Sequence, residues 1–575
     1  METWWVNLSM SLFRSGATSD GKPMRALVVA LALTFAVPAH SGVDARLAET
    51  ARAIDAVLAE SSTPGLIIAV TDRDRLRSLV VHGYADLKAH TPLKADSRLA
   101  IGSISKAFTS IALLQLADER RYDMAVPVTR YLPWLELHSR YAAMTGRELM
   151  SHTSGLPNYL TDAASSRYAG IELKDFEPAY PPGAHWHYSN TGYQLLGYVL
   201  ESIEGKPFKT IIQRRVLEPL GMNSSPAIID DAGRARMAIS YVRWPYDGAY
   251  VEAPWFEYTA GDGSIVSTAA DMSAYARFIL NRGMGPNGRV LSENSFRMLT
   301  TPGLEHYGLG LWNEQEDGHA VISHGGGIAG FRSYIEAHMD EGFALVFLSN
   351  GGIGTDLRKW VTEAVAAAFA DRPPPAAFTP EPDRLMASLD DFAGSYGLAS
   401  EPAGSRRTRL QFEVQGGRLV LKGAGDKPLQ RIGVDAFRIA GDSEDTSAYI
   451  FTRANRKGDG AVVEVSHGAE WFVTRKFSGQ AGSADRAFAP YVGHYVFPGP
   501  EGPDYRVYIR SGELVGVADW AEEQFVEKFT PLDTGTFRVG EEAYSPERAH
   551  FDSIVDGHAQ RLVISGVPLY RRDTP

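Results

Sequence analysis

The stretch Ile101-Gly-Ser103-Ile-Ser-Lys106-Ala-Phe-Thr-Ser110-Ile-Ala-Leu-Leu-Gln-Leu116 decides how the rest of the chain is read. Its apolar residues fall at Ile104, Ala107, Phe108, Ile111 and Leu114, the spacing of one face of an amphipathic helix. Ser103 stands at the start of that helix and Lys106 one turn on, where residues three apart face the same way. An amine beside a hydroxyl is a base beside a nucleophile, and N–H groups at a helix start can stabilise an oxyanion. A Ser-x-x-Lys pair also occurs on ordinary capped helices, so it acquires meaning only from other residues.

Two further segments supply them. Pro181-Pro-Gly-Ala-His185-Trp-His187-Tyr188-Ser-Asn190 precedes an apolar helical run from Tyr193 to Ile203. Tyr188 and Asn190 alternate on an extended stub, which lets a phenol and an amide point into one cleft, as a proton shuttle and a substrate clamp. The third segment, His324-Gly-Gly-Gly-Ile-Ala-Gly-Phe-Arg332-Ser-Tyr334-Ile-Glu-Ala-His338, reads with Ala344–Leu348 as paired strands. Gly325 to Gly327 leave a strand without side chains, where a substrate backbone can lie and an N–H can reach an oxyanion. It is no phosphate loop, since the Gly-Lys-Ser/Thr ending is missing. His185 and His187 share one side of an extended segment but have no third ligand nearby, so neither a metal nor a cofactor is expected.

Taken in order, Ser103-Ile-Ser-Lys106, Tyr188-Ser-Asn190 and His324-Gly-Gly326 resemble the S-x-x-K, Y-x-N and K/H-x-G motifs of the serine β-lactamase and penicillin-binding-protein superfamily. The resemblance runs from about Pro64 to Asn350. His152-Thr-Ser-Gly-Leu-Pro157 is similar to flanking text of that family, and Gly330-Phe-Arg-Ser-Tyr334 to the stretch after the third motif in class C enzymes. It implies an α+β catalytic domain, an antiparallel sheet flanked by helices with a helical subdomain. It also implies Ser103 as the acylated nucleophile, Lys106 and Tyr188 moving its proton, and Asn190 positioning substrate. His324 and Gly326 would line the opposite wall, with the N–H groups of Ser103 and Gly327 as oxyanion hole. Lys106 would have to be partly neutral to act as a base, which burial and a cationic neighbour would favour. The chain departs from the pattern at the third motif, where His324 replaces lysine and Gly325 a hydroxyl residue. A histidine is a weaker, pH-dependent cation, so selection of a substrate carboxylate is in doubt and amide, ester or free-amino-terminus substrates gain.

At 575 residues the chain is too long for one core. Apolar residues make up 44% and charged residues 22%, with a net charge of -12, a globular composition that carries no footprint for nucleic acid. The absence of cysteine removes disulfides, thiol nucleophiles and Cys-ligated zinc together. Lys22-Pro-Met24-Arg25, an apolar run to Val37 and Pro38-Ala-His-Ser-Gly42 make the three parts of a secretory signal peptide at about residues 24–41, with Met24 an alternative initiator. The apolar run is too short to span a bilayer, and a periplasmic or secreted protein with no membrane span in the mature chain is expected. Val43 to Glu60 reads as an amphipathic helix, Leu66–Val70 and Leu79–Val81 as strands before a turn at Gly83–Asp86, and Ala269–Leu280 as a helix capped by Ser267 or Thr268.

The catalytic domain is expected over residues 44–370, followed by a proline-rich linker at 371–384. Beyond it the text alternates strands and turns and repeats. Phe392-Ala-Gly-Ser-Tyr396 returns as Tyr491-Val-Gly-His-Tyr495, Gly417–Val420 as Gly512–Val515, and Ala436–Ile439 as Thr536–Val539, each about 100 residues on. Two lipocalin-like, all-β barrels are expected at 385–480 and 486–575. That layout resembles D-stereospecific aminopeptidases, in which a barrel loop reaches the cleft. Pro498–Asp504 and Ala518–Glu523 are both carboxylate-rich loops that could do so here, and the sequence does not choose between them. The expected protein is an exported serine hydrolase that cleaves short peptides or peptide amides, including those with D-amino acids. The alternatives are an esterase or weak β-lactamase, and a non-catalytic peptidoglycan- or peptide-binding protein.

Overall fold

The computed structural model describes residues 40–572 apart from 159–166, 168–169, 172, 244–248, 317, 380–387, 400, 402–406, 433–434, 442–447, 455–459, 469, 478–485, 498–503 and 521–522. Nearly all of the expected signal peptide lies outside the described residues. Among the described residues no helix is long and apolar enough to cross a membrane.

The catalytic region is built on a seven-stranded antiparallel sheet. Its order is Trp312–Glu316, His319–Ile328, Phe331–His338, Phe343–Ser349, Gly65–Asp72, Leu76–Asp86 and Thr91–Pro92. The central strands Gly65–Asp72 and Phe343–Ser349 are continuous apolar runs because both of their faces are covered, and their side chains divide with the period of two that a strand imposes. Ile67, Ala69, Ala344, Val346 and Leu348 enter the core shared with the helix Ala269–Leu280 and the helix Ser105–Asp118. Leu66, Ile68, Val70, Phe343, Leu345 and Phe347 face the other way, onto Leu47, Ile54 and Leu58 of helix His40–Ala59 and Leu357, Val361 and Val365 of helix Thr355–Phe369. Each fully buried side chain of this kind contributes about 1.5–3 kcal/mol. Thr268 caps the Ala269–Leu280 helix by accepting the Asp271 N–H at 3.3 Å.

Three expected local features differ. The second strand does not turn away at Gly83 but runs to Asp86, because Gly83 at φ +81° passes the Pro64 carbonyl with no room for a side chain. Asn190 is not on an extended stub but opens the helix Asn190–Glu204, with Ser189 as cap accepting the Gly192 N–H at 3.1 Å. The helix Ser105–Asp118 has no solvent face: Ser105, Lys106, Thr109, Ser110, Ala112 and Leu113 are buried along with the expected apolar positions. Its polar residues are tolerated inside because each has a partner. Ser105 Oγ accepts the Ile265 N–H at 3.1 Å, Thr109 Oγ1 donates to the Gly261 carbonyl at 2.7 Å, and Ser110 Oγ meets Tyr193 OH at 3.2 Å.

The C-terminal third folds into two closed eight-stranded antiparallel barrels, from Gly394–Leu398 to Glu470–Val473 and from Gly493–Val496 to Val567–Arg572. The three repeated motifs fall on the first, third and fifth strands of each barrel. The tyrosine of the first motif does the same thing twice: Tyr396 OH donates to the Phe392 carbonyl at 3.1 Å and Tyr495 OH to the Tyr491 carbonyl at 2.9 Å. The barrels pack side by side. Trp471 of the first joins the core of the second, and Glu464 accepts both the Trp471 indole N–H at 2.7 Å and the Ser511 backbone N–H at 3.0 Å.

The glycine strand is pinned by close approach. A Cβ on Gly326 would lie 2.0 Å from the Ile101 carbonyl oxygen and 2.4 Å from Ser333 Oγ, and Ser333 Oγ donates to that same carbonyl at 2.8 Å. Gly326→Ala is expected to cost about 2 kcal/mol or more, since rigid backbone must move. Gly325→Ala meets only Tyr334 Cδ2 at an ordinary 3.6 Å and should leave the urea unfolding midpoint nearly unchanged, so the two midpoints measured side by side check the assignment.

Candidate active site

Ser103 sits in a single 3-10 turn, Gly102–Ile104, that runs straight into the helix Ser105–Asp118. The turn is stitched down by the Ile101 N–H, which donates to the Ile265 carbonyl at 2.9 Å. Gly102 is in the left-handed region at φ +48°, and a Cβ there would lie 2.6 Å from the Gly327 nitrogen. Only a glycine lets the backbone ahead of Ser103 lie this close to Gly327. Ser103 is half-buried and Gly327 exposed, so this junction faces open space.

Lys106 is wholly buried, and its amine lies among three oxygens. Nζ is 2.9 Å from Ser103 Oγ, 2.5 Å from Asn190 Oδ1 and 2.9 Å from the Asp262 carbonyl. Nζ also lies 4.9 Å from the centroid of the Tyr188 ring and 5.7 Å from that of Tyr193. Asn190 presents its oxygen to Lys106 because its amide NH2 is held elsewhere, donating to Asn158 Oδ1 at 2.7 Å. Ser103 and Lys106 are thereby brought together with Tyr188 and Asn190 from a distant part of the chain. Among the described residues the Tyr188 hydroxyl has no hydrogen-bond partner, and the ring packs against His152 with centroids 4.2 Å apart and planes tilted by 39°.

His324 lies on the glycine strand with its ring centroid 6.4 Å from that of Tyr188. It is 3% exposed, its Nδ1 meets the Gly325 carbonyl at 2.5 Å, and its Nε2 meets Tyr307 OH at 3.1 Å. A carbonyl only accepts, so Nδ1 carries the proton and Nε2 accepts from the tyrosine. Burial, followed by the Lys106 charge, brings its pKa down to about 3. His324 is therefore neutral at physiological pH, unlike the pH-dependent cation expected at this position. His152 is held neutral too, its pKa driven well below the usual value first by burial and then by Lys106. Neither histidine is the cationic neighbour expected for Lys106. The cation on this wall is Arg332, whose Nη1 would lie 3.2 Å from a Cβ on Gly327.

Some residues at the site carried no motif of their own. One is Tyr307, which joins His152, Tyr188 and Trp186 in an aromatic cluster beside Lys106, with His152 and Tyr307 centroids 4.7 Å apart. Asp262, in the Ala260–Gly263 turn ahead of the Ala269 helix, is 2% exposed, and burial raises the pKa of its carboxyl; Tyr258 OH donates to its two oxygens at 2.8 and 2.9 Å. His185 and His187, the pair weighed as metal ligands, meet the second barrel. His185 stacks on Tyr544 with centroids 4.0 Å apart and planes at 3°, and His187 Nε2 is 2.8 Å from Glu547 Oε1. Among the described residues, the barrel segment between strands Thr536–Val539 and Arg548–Val555 thus meets His185 and His187. Of the two expected loops, 498–503 and 521–522 lie outside the described residues.

The depressed histidines make stability depend on pH with a definite sign. Between the reference value of 6.5 and about 3, His324 is protonated in the unfolded chain and neutral in the folded one. The unfolded state then binds more protons, so its contribution is full above about pH 6.5 and declines as pH falls, by up to about 1.4 kcal/mol per pH unit. Histidine side-chain NMR should show no titration of His324 between pH 8 and 5. His324→Gln should flatten the fall in urea-unfolding stability over that range by up to one proton equivalent.

Residues 50–369 match the Beta-lactamase family. The chain is 28% identical over 371 residues to penicillin-binding protein 4 of Amycolatopsis lactamdurans, covering 60% of this chain and 95% of that protein. It is 30% identical over 313 residues to a D-aminopeptidase of Cereibacter sphaeroides, covering 52% of this chain and 59% of that relative. Among solved structures it resembles a D-stereospecific amidohydrolase from Streptomyces sp., with a TM-score of 0.47 and 25% identity over 57% of this chain and 99% of that one. With the family match covering more than half of the chain, and with a serine, a buried lysine and a glycine strand meeting at one opening, this protein belongs to the Beta-lactamase family.

Proposed function

We propose that the protein is an exported serine hydrolase that cleaves amide bonds of short peptides or peptide amides through an acyl-enzyme on Ser103, peptides with D-amino acids among them. The observation that carries this is the hydrogen-bond arithmetic at Lys106. Asn190 Oδ1 and the Asp262 carbonyl are obligate acceptors at 2.5 and 2.9 Å. Nζ donates to Ser103 Oγ as well, at 2.9 Å, so three oxygens take its three N–H bonds, and the proton whose loss would make Nζ a base is the one that already points at the Ser103 hydroxyl. Ser103 Oγ attacks the carbonyl carbon as Lys106 Nζ takes its proton. The N–H groups of Ser103 and Gly327 receive the developing oxyanion. Lys106, with Tyr188 beside it, returns the proton to the leaving amine, and a water repeats the sequence on the acyl-enzyme. Asn190 serves as substrate clamp as well as lysine partner, while neutral His324 and the bare backbone of Gly326 shape the opposite wall.

A neutral His324 gives no charge for a substrate carboxylate, which supports peptide amides and free-amino-terminus substrates, and the D-aminopeptidase relative points to the same class. One observation favours a second reading, a weak β-lactamase or an esterase on acidic substrates: the Arg332 guanidinium against Gly327 could take a carboxylate there.

Labelling with a fluorophosphonate followed by peptide mass mapping should place the adduct on Ser103. Ser103→Ala should abolish labelling and lower turnover by about 10^4-fold or more, and Lys106→Met should lower it by about 10^2- to 10^4-fold. D-Ala-amide, L-Ala-amide, a p-nitrophenyl ester and a chromogenic cephalosporin assayed together separate the activities. Amide turnover that survives Arg332→Ala supports the first reading; cephalosporin turnover without amide turnover, lost in Arg332→Ala, establishes the second.

A further inference from the structure

We infer that Glu547, on the second C-terminal barrel, is a positioning residue for the Ser103 acylation step, acting through Asn158 and Asn190 on Lys106. A continuous run of hydrogen bonds connects them. Glu547 Oε1 accepts the Asn158 backbone N–H at 2.7 Å and faces His187 Nε2 at 2.8 Å, while its Oε2 is bonded by Ser565 Oγ. Asn158 Oδ1 accepts the Asn190 amide NH2 at 2.7 Å, and Asn190 Oδ1 accepts from Lys106 Nζ at 2.5 Å. Asn158 also clips the start of the Asn190–Glu204 helix, its carbonyl accepting the Thr191 N–H at 3.0 Å.

The consequence lies in the direction of one amide. An asparagine offers an acceptor from one end and donors from the other, and rotation about its last bond exchanges them. If Asn158 shifts, nothing holds the Asn190 NH2, and a rotated amide would present N–H bonds to the lysine amine. Lys106 would lose an acceptor, and its amine would no longer be held in place against the Ser103 hydroxyl. Glu547 fixes Asn158 from a domain more than 350 residues further along the chain, as the separation of 389 positions shows. The barrel thus completes the nucleophile's surroundings as well as covering them.

This inference rests on Ser103 being the nucleophile, and the experiment separates the two. Fluorophosphonate labelling rates and ester kcat and KM are measured on the full chain for wild type, Glu547→Ala, Glu547→Gln, Asn158→Ala and the Glu547→Ala/Asn158→Ala double variant. The alanine variants should label and turn over between about tenfold and a hundredfold more slowly, with KM within about twofold, as expected of a misdirected group that does not touch substrate. Glu547→Gln keeps an oxygen for both Asn158 and His187 and an NH2 for Ser565, and should recover most of the rate. The double variant should lose no more than the worse single, because one chain is broken either way. Wild type that takes no label at Ser103 overturns the proposed function and this inference with it. Wild type that labels while Glu547→Ala labels equally fast overturns the inference alone. So do additive losses in the double variant, or a Glu547→Gln as impaired as the alanine with a raised KM, which would make the charge a substrate contact.

Discussion

A lysine amine sealed from water is tolerable only if oxygens surround it, and in this protein that requirement ties the active site together. Lys106 Nζ has three, from Ser103, Asn190 and Asp262, and they come from three segments far apart in the chain. Leaving any of them unpaired in a buried site costs about 1–3 kcal/mol each. The helix Asn190–Glu204, the turn at 260–263 and the helix Ser105–Asp118 are thus locked into one relative placement by a single side chain, and the arrangement that satisfies the amine also aims it at the Ser103 hydroxyl.

The same economy explains the glycine strand. Its bare backbone suggests room for a substrate, and Gly327 does face the opening. At Gly326 the missing side chain serves the protein itself: the Ile101 carbonyl occupies the place where a methyl would be, and Ser333 Oγ bonds that carbonyl from across the hairpin. Close approach there and at Gly102 brings the Gly327 nitrogen up to the turn that carries Ser103. Catalytic geometry and chain packing are one constraint at this point.

Charge is arranged with similar restraint. Burial keeps His152 and His324 neutral beside Lys106, so neither adds a further cation next to the buried amine. Among the described residues, the second barrel meets the segments carrying His185, His187 and Asn158 through an aromatic stack and a carboxylate. A domain that reads as an appendage is bonded to the segment that carries Tyr188 and Asn190.

The sequence by itself determined a good deal. Helical spacing alone puts Ser103 and Lys106 on one face, alternation and length mark the central strands, and repeated tyrosine and glycine signatures mark two barrels of one kind. These are local or periodic properties, which the backbone imposes wherever the residues stand. Tertiary structure decided the rest. Nothing near Asn190 in the sequence says that it opens a helix with its oxygen toward a lysine 84 positions away. Nothing around His324 says that it is buried deeply enough to stay neutral, since desolvation depends on what other segments cover it. Tyr307, Asp262 and Glu547 carry no motif because their roles come from where the fold places them, and His185 and His187 resemble half a metal site until the Tyr544 ring and the Glu547 carboxylate are seen against them. Periodicity is written along the chain; burial, orientation and charge are set across it.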